Sequence, residues 1–152
     1  MKDFIDIIKA NSRREPEGFA VLDGDRKINY SDFINLINSI SNNLISFHST
    51  PKVAFDLNQS IESYALIIAI LNIGGTYCPL NIQSPIDRKK QILDEFQPDI
   101  LVVEIEGNTQ IFGIQNVLPI TSLLKDNVNK IKIEYNQEST IYVIYTSGVL
   151  AP

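Results

Sequence analysis

Tryptophan is absent from this chain, and cysteine, histidine and methionine occur once each. With Cys78 and His48 alone, an internal disulfide, a Cys/His zinc site and a serine nucleophile activated by a dedicated histidine in a Gly-x-Ser-x-Gly elbow are all set aside. Positive charge is also scarce: 13 Lys and Arg face 18 Asp and Glu, giving a net charge of -5 and an isoelectric point near 4.8. A nucleic-acid or anionic-membrane surface needs clustered cations, so neither partner is expected. The densest basic group, Arg88-Lys89-Lys90, reads as a solvated helix face. Long apolar runs are missing too. The longest strongly apolar stretch, residues 64–71, is far too short to span a bilayer, and the N-terminal segment Met1-Lys2-Asp3-Phe4-Ile5-Asp6 is broken by two aspartates where a secretory leader would be continuous. The expected compartment is the cytoplasm.

What remains is an ordinary core-forming composition. At 152 residues and 44% apolar content, the chain is expected to form one domain over residues 1–152, burying about 70% of its unfolded surface if the fold is complete. Residues 4–10 have helical periodicity, and residues 19–22 and 27–30 flank an Asp23-Gly24-Asp25 turn as a hairpin would. Ser31 is the expected N-cap of a helix reaching about Ser46, with Phe33, Leu36, Ile37, Ile40 and Leu44 on one stripe. A strand is expected over residues 52–57. Ser60 then opens a helix whose body, residues 64–73, is apolar nearly all round and must be buried on several sides. Gly74-Gly75 closes that helix, and residues 76–80 form a strand that Pro79 confines to an edge or an end.

The next helix is predicted from Ser84 as cap and Pro85 at its first position, with Ile86, Ile92, Leu93 and Phe96 facing inward and Pro98 beyond its end. A strand at residues 99–103 follows, then a hairpin about Gly107-Asn108, a short helical turn at residues 121–125 and an edge strand around Ile131 and Ile133. Helix between strand, repeated, predicts an α/β fold with a mainly parallel sheet and helices on both faces. The last strand, Ile141-Tyr142-Val143-Ile144-Tyr145, is expected in the sheet interior with Tyr142 and Ile144 buried. Tyr30, Tyr64 and Tyr142 read as core aromatics with marginal hydroxyls. Tyr77 and Pro79 read as packing and turn residues, Arg88 as an exterior or carboxylate-paired side chain, and Cys78 as a small buried one.

That last strand runs into Thr146-Ser147-Gly148, whose small residues would let backbone N-H groups approach an anion. The nucleoside-triphosphatase type of phosphate loop is excluded, because Val149-Leu150-Ala151-Pro152 supplies no second glycine, Lys or Ser/Thr. Four stretches in order resemble another family. Ile28-Asn29-Tyr30-Ser31-Asp32-Phe33 is similar to the early tyrosine-bearing motif of amino-acid adenylation domains. Leu71-Asn72-Ile73-Gly74-Gly75-Thr76-Tyr77-Cys78-Pro79-Leu80 resembles their Leu-Lys-Ala-Gly-Gly-Ala-Tyr-Val-Pro-Leu segment, and Pro85-Ile86-Asp87-Arg88 their Pro-x-x-Arg helix entry. Ile141 to Gly148 resembles the strand and opening of their phosphate-binding loop. The resemblance points to the nonribosomal peptide synthetase and D-alanine ligase branch of the adenylate-forming superfamily.

The resemblance implies a reaction in which a carboxylate attacks the α-phosphorus of ATP, pyrophosphate leaves, and the acyl group passes to a thiol, typically that of a phosphopantetheine arm on a carrier protein. It implies ATP and Mg²⁺ as cofactors, an amino acid or other carboxylate as substrate, and Thr146, Ser147 and Gly148 as nucleotide-binding residues. No residue is assigned a catalytic or metal-binding role. The family's loop continues Ser/Thr-Thr-Gly-x-Pro-Lys-Gly, and this sequence departs from it at Val149. The chain therefore resembles about the first third of an adenylation domain, cut inside its phosphate-binding loop. By that logic it is expected to be inactive alone and to self-associate through an exposed sheet edge. Two other readings stay open: a binding or regulatory module that kept part of the fold without the chemistry, and an unrelated doubly wound domain.

Overall fold

The computed structural model describes residues 2–105, 113–125 and 141–145, with side chains from residue 6 onward. Helix α1 (Lys2–Arg14) leads into a hairpin of β1 (Phe19–Asp23) and β2 (Arg26–Asn29), then α2 (Tyr30–Ile45). Strand β3 (Lys52–Asp56), α3 (Ile61–Asn72), β4 (Thr76–Pro79), α4 (Ile86–Phe96), β5 (Ile100–Val103), β6 (Val117–Pro119) and the single turn α5 (Ile120–Leu123) complete it. The larger sheet has the order β4-β3-β5-β6 and every pairing in it is parallel. The hairpin is separate and antiparallel. The predicted α/β class with a mainly parallel sheet is what the chain forms.

Helices lie on both faces because the central strands are apolar on both sides. On one face Val53, Phe55, Ile100 and Val102 meet α3, α2, α5 and Ile8 of α1; on the other Ala54, Leu101 and Val103 meet Ile92, Leu93 and Phe96 of α4. All four residues of β5 are buried. Helix α3 is the most enclosed helix: Leu66, Ala65, Ala69 and Ile70 have no exposed surface. Its N-terminus is closed by a reciprocal pair in which the Ser63 N-H donates to Ser60 Oγ at 3.1 Å and the Ser60 N-H to Ser63 Oγ at 2.9 Å. Its end is closed by Gly74, whose φ of +71° suits glycine. Ser41 donates to the Ala69 carbonyl at 3.3 Å, and Asn72 donates to Ser41 at 3.4 Å, so α2 and α3 are joined by polar bonds as well as packing. Arg26 of the hairpin donates to the Glu62 carboxylate of α3.

Several local expectations change. The cap of α2 is Asn29, which accepts the Asp32 N-H at 2.7 Å, and not Ser31. Asn-Tyr-Ser offers two capping residues, and the end of β2 at Asn29 puts the first in extended geometry. Pro85, without a side-chain cap bond, occupies the N-cap of α4 expected for Ser84. Ile86 is exposed, while Lys89 joins Ile92, Leu93 and Phe96 on the buried face. Of the basic triplet Lys90 is exposed and Arg88 half-buried, but Lys89 is not solvated: a lysine stem can lie along apolar surface if its ammonium finds a partner, and Asp56 is there. Tyr64 is 41% exposed rather than a core aromatic.

No hairpin returns from β5 to β6, since β6 runs parallel to it. The expected turn at Gly107-Asn108 and edge strand at Ile131 and Ile133 lie outside the described residues. Segment 141–145 is not the interior strand expected. It makes one parallel bridge, Tyr77 to Tyr142, and leaves Tyr142 52% and Ile144 61% exposed. Ile141, Val143 and Tyr145 are the members packed against the two cores. An unbroken apolar run gives no period from which to choose the inward set.

Gly75 supplies the sharpest test of the packing. A Cβ there would stand 2.7 Å from the Pro51 carbonyl oxygen and 2.9 Å from Ile70 Cγ2, whereas one at Gly74 would meet only Thr50 Cγ2 at 3.9 Å. Gly74→Ala is expected to cost about 1–2 kcal/mol from left-handed backbone strain alone. Gly75→Ala is expected to cost more, up to about 3 kcal/mol, because backbone must shift. Urea unfolding of both variants checks the order, and equal losses would show that the strand-helix junction is looser than it looks.

Candidate functional site

The carboxyl ends of the parallel strands form the candidate site. In open α/β sheets, crossover helices on opposite faces leave a crevice where the strand order reverses, just beyond those ends. Here α3 connects β3 to β4 on one face and α4 connects β4 to β5 on the other, so the reversal falls between β3 and β5. That crevice is spanned by Glu104 Oε1, which accepts from the Asn58 N-H at 2.7 Å and from Asn58 Nδ2 at 3.3 Å. Beside it, between the ends of β3 and β4, lies an open cleft of about 620 Å³. Its walls combine Phe55, Tyr64 and Leu80 with the amides of Asn58, Gln59 and Asn81. A smaller polar cavity of about 360 Å³, near His48, Asp94 and Asp99, sits at the amino ends, where Asp99 is engaged by the Lys52 N-H at 2.7 Å.

Segment 141–145 arrives at the same end. Tyr77 N-H donates to the Ile141 carbonyl at 3.1 Å and Val143 N-H donates to the Tyr77 carbonyl at 3.0 Å, a parallel pairing along the outer side of β4. Three rings form a ladder across adjacent strands: Phe55 to Tyr77 at 6.1 Å and Tyr77 to Tyr142 at 5.8 Å between centroids. Burial and the neighbouring Tyr142 raise the pKa of the Tyr77 hydroxyl. The parallel direction takes the chain, as it leaves Tyr145, toward the carboxyl end of the sheet. Thr146, Ser147 and Gly148, the residues expected to bind nucleotide, lie outside the described residues.

Of the other residues singled out in the sequence, Tyr77 is structural as expected, stacked between two rings. Arg88 is half-buried and donates to Gln91 at 3.4 Å. Cys78 is fully buried. The feature that sequence reasoning missed is an ion pair at the end of β3: Lys89 Nζ donates to Asp56 Oδ2 at 2.7 Å and to the Ile82 carbonyl at 3.1 Å. Asp56 Oδ1 is buried without a partner among the described residues. The available signal was that Lys89 falls at helical spacing with Ile92, Leu93 and Phe96. Among the described residues no group of three His, Cys, Asp or Glu side chains converges to hold a metal ion, so none is assigned to Mg²⁺.

Comparison with known proteins agrees with this geometry. The family model described as AMP-binding enzyme matches residues 8–149. Malpinin synthetase of Mortierella alpina is 30% identical over 149 residues, covering 93% of this chain and 2% of that protein. The nonribosomal peptide synthetase nlsA of Emericella nidulans is 24% identical over 155 residues, covering 94% of this chain and 2% of that protein. Among solved structures, o-succinylbenzoate coenzyme A synthetase (MenE) of Bacillus subtilis in complex with AMP superposes with a TM-score of 0.82 at 17% identity, over 95% of this chain and 39% of that one. The Klebsiella oxytoca NpsA N-terminal subdomain, in complex with anthranilyl-AMSN, superposes with a TM-score of 0.78 at 21% identity, over 97% of this chain and 38% of that one. At those identities the structural likeness is one of fold.

The fold is that of the adenylate-forming enzymes, and the chain belongs to the AMP-binding enzyme family. It corresponds to an N-terminal part of an adenylation domain and spans a small fraction of the synthetases it matches.

Burial pushes the Cys78 thiol up to about 11. At pH 8 it is therefore protonated as well as enclosed, and thiolate is the reactive form. A thiol reagent at pH 8 is expected to leave the native protein unmodified over hours and to label Cys78 within minutes in denaturant. Rapid native labelling would mean that β4 opens readily.

Proposed function

We propose that this polypeptide supplies the N-terminal, phosphate-facing part of an ATP-dependent enzyme that adenylates an amino acid or related carboxylate. In this reading the acyl-adenylate is passed to the phosphopantetheine thiol of a carrier protein, in the cytoplasm, and Mg²⁺ accompanies the ATP. The observation that carries the reading is the parallel seating of segment 141–145 against Tyr77, which aims the chain, ahead of Thr146-Ser147-Gly148, toward the ligand-binding end of the sheet. The family match through residue 149 supports it.

The chemistry such a site must supply is positioning of ATP and carboxylate and stabilisation of charge as pyrophosphate departs. Thr146, Ser147 and Gly148 would contribute hydroxyl and backbone N-H donors to a phosphate. Ordering a short segment for a few such bonds costs about 1–2 kcal/mol per residue in backbone entropy. In this reading the 152 residues supply only part of the site. The non-catalytic module remains the second reading, favoured by the same incompleteness.

Amino-acid-dependent exchange of labelled pyrophosphate into ATP is the direct test. The isolated chain is expected to show none, and fusion to the remaining segment of a family adenylation domain is expected to restore it. Gly148→Val in the fusion should lower exchange at least tenfold by crowding the backbone approach to phosphate. Robust exchange by the isolated chain would overturn the incomplete-site reading.

A second expectation follows from the 52% and 61% exposure of Tyr142 and Ile144. An outward apolar pair on an edge segment promotes association. Light scattering should detect dimers or larger species that Tyr142→Ser with Ile144→Ser reduces. A parent protein that stays monomeric at every concentration would count against this.

A further inference from the structure

Lys89 is the only charged side chain among the described residues that the fold buries. Its ammonium reaches two different elements: Asp56 Oδ2, at the end of β3, and the carbonyl of Ile82, in loop 80–84 between β4 and α4. That loop forms one wall of the carboxyl-end cleft through Leu80, Asn81 and Ile82. Little packing holds its middle, because Asn81, Ile82 and Gln83 are all exposed. Its own bonds are local: Gln83 N-H donates to Asn81 Oδ1 and Ser84 N-H to the Asn81 carbonyl, each at 2.9 Å. Leu80 N-H donates to the Phe55 carbonyl at 2.8 Å and anchors the loop where it leaves β4. Farther along, the bond from Lys89 to Ile82 ties the loop to the sheet end.

Stability alone does not account for this pair. Removing two charges from water carries a desolvation cost that apolar side chains of similar volume avoid, and here one carboxylate oxygen is left without a partner among the described residues. What an ammonium provides and a methyl group cannot is directed donation to a carbonyl on a second element.

We propose that Lys89 is a positioning residue that, held in orientation by Asp56, tethers loop 80–84 to the end of β3 and thereby sets the wall of the cleft. The proposal goes beyond the adenylation reading and does not depend on it. It separates two roles: Asp56 orients the ammonium, and the bond to the Ile82 carbonyl holds the loop.

Amide hydrogen exchange on the 152-residue chain tests it. Lys89→Met alone leaves Asp56 buried and unpaired and could prevent folding, so the informative variant is Asp56→Leu with Lys89→Met. This double variant is expected to melt cooperatively at or above the parent temperature, while the Gln83 and Ser84 amides exchange at least tenfold faster and those of β3 and β5 keep their parental rates. Asp56→Asn retains an oxygen acceptor for Lys89 and is expected to keep Gln83 and Ser84 within about threefold of the parent. Parental exchange at Gln83 and Ser84 in the double variant would overturn the tether. So would equal acceleration across β3, β5 and the loop, which would mark the pair as general support, or full loss of loop protection in Asp56→Asn.

Discussion

The burial of α3 between the sheet and α2 is the constraint on which the rest of the domain depends. A helix apolar nearly all round is costly to leave in water, since fully burying each large aliphatic side chain is worth about 1.5–3 kcal/mol. It satisfies that demand only where a sheet covers one side and another helix a second. Leu66 and Ile70 have no exposed surface, and Val53, Phe55 and Ile100 of the sheet belong to the same core. The sharp end at Gly74 and the tight fit of Gly75 against Pro51 and Ile70 then start β4 in register with β3, with Thr76 beside Lys52. Once β4 is placed, its outer edge and Tyr77 determine where segment 141–145 can lie. Geometry at the carboxyl end thus descends from a packing requirement.

That end of the sheet has a division of labour. The reversal point between β3 and β5 is spanned by Asn58 and Glu104, and the accessible space lies beside it toward β4. One wall of this space includes Phe55, the inner ring of the aromatic ladder, and the other is a loop bonded to Lys89. Rings give shape without strict direction, whereas the ammonium gives direction at the expense of desolvation.

Much of this is legible in the sequence wherever a local signal and a global need coincide. Alternation of strand and helix implies the parallel sheet, the full apolar character of residues 64–73 marks the most buried helix, and Pro79 falls at the end of β4. The family is readable from the Gly-Gly-x-Tyr-x-Pro segment and the strand ending in Thr146-Ser147-Gly148, and the family model spans both. What fails are choices between equivalent local options. Asn29 and Ser31 can both cap, and an unbroken apolar run such as residues 141–145 carries no alternation to say which side is wet. By residue type alone Lys89 belongs in solvent, because its partner lies 33 residues away in sequence and only the sheet brings Asp56 beneath it. Thr146, Ser147 and Gly148 lie outside the described residues, and the nucleotide-binding role proposed for them comes from the resemblance of the sequence.

Segment 141–145 runs parallel to β4, toward the carboxyl end of the sheet. Backbone NMR of the isotope-labelled protein measures this directly through cross-strand contacts around Tyr77. The expected result is a parallel register with Tyr142 opposite Tyr77 and a slowly exchanging Val143 amide bonded to the Tyr77 carbonyl. An antiparallel register, or a Val143 amide that exchanges as fast as free peptide, would contradict it.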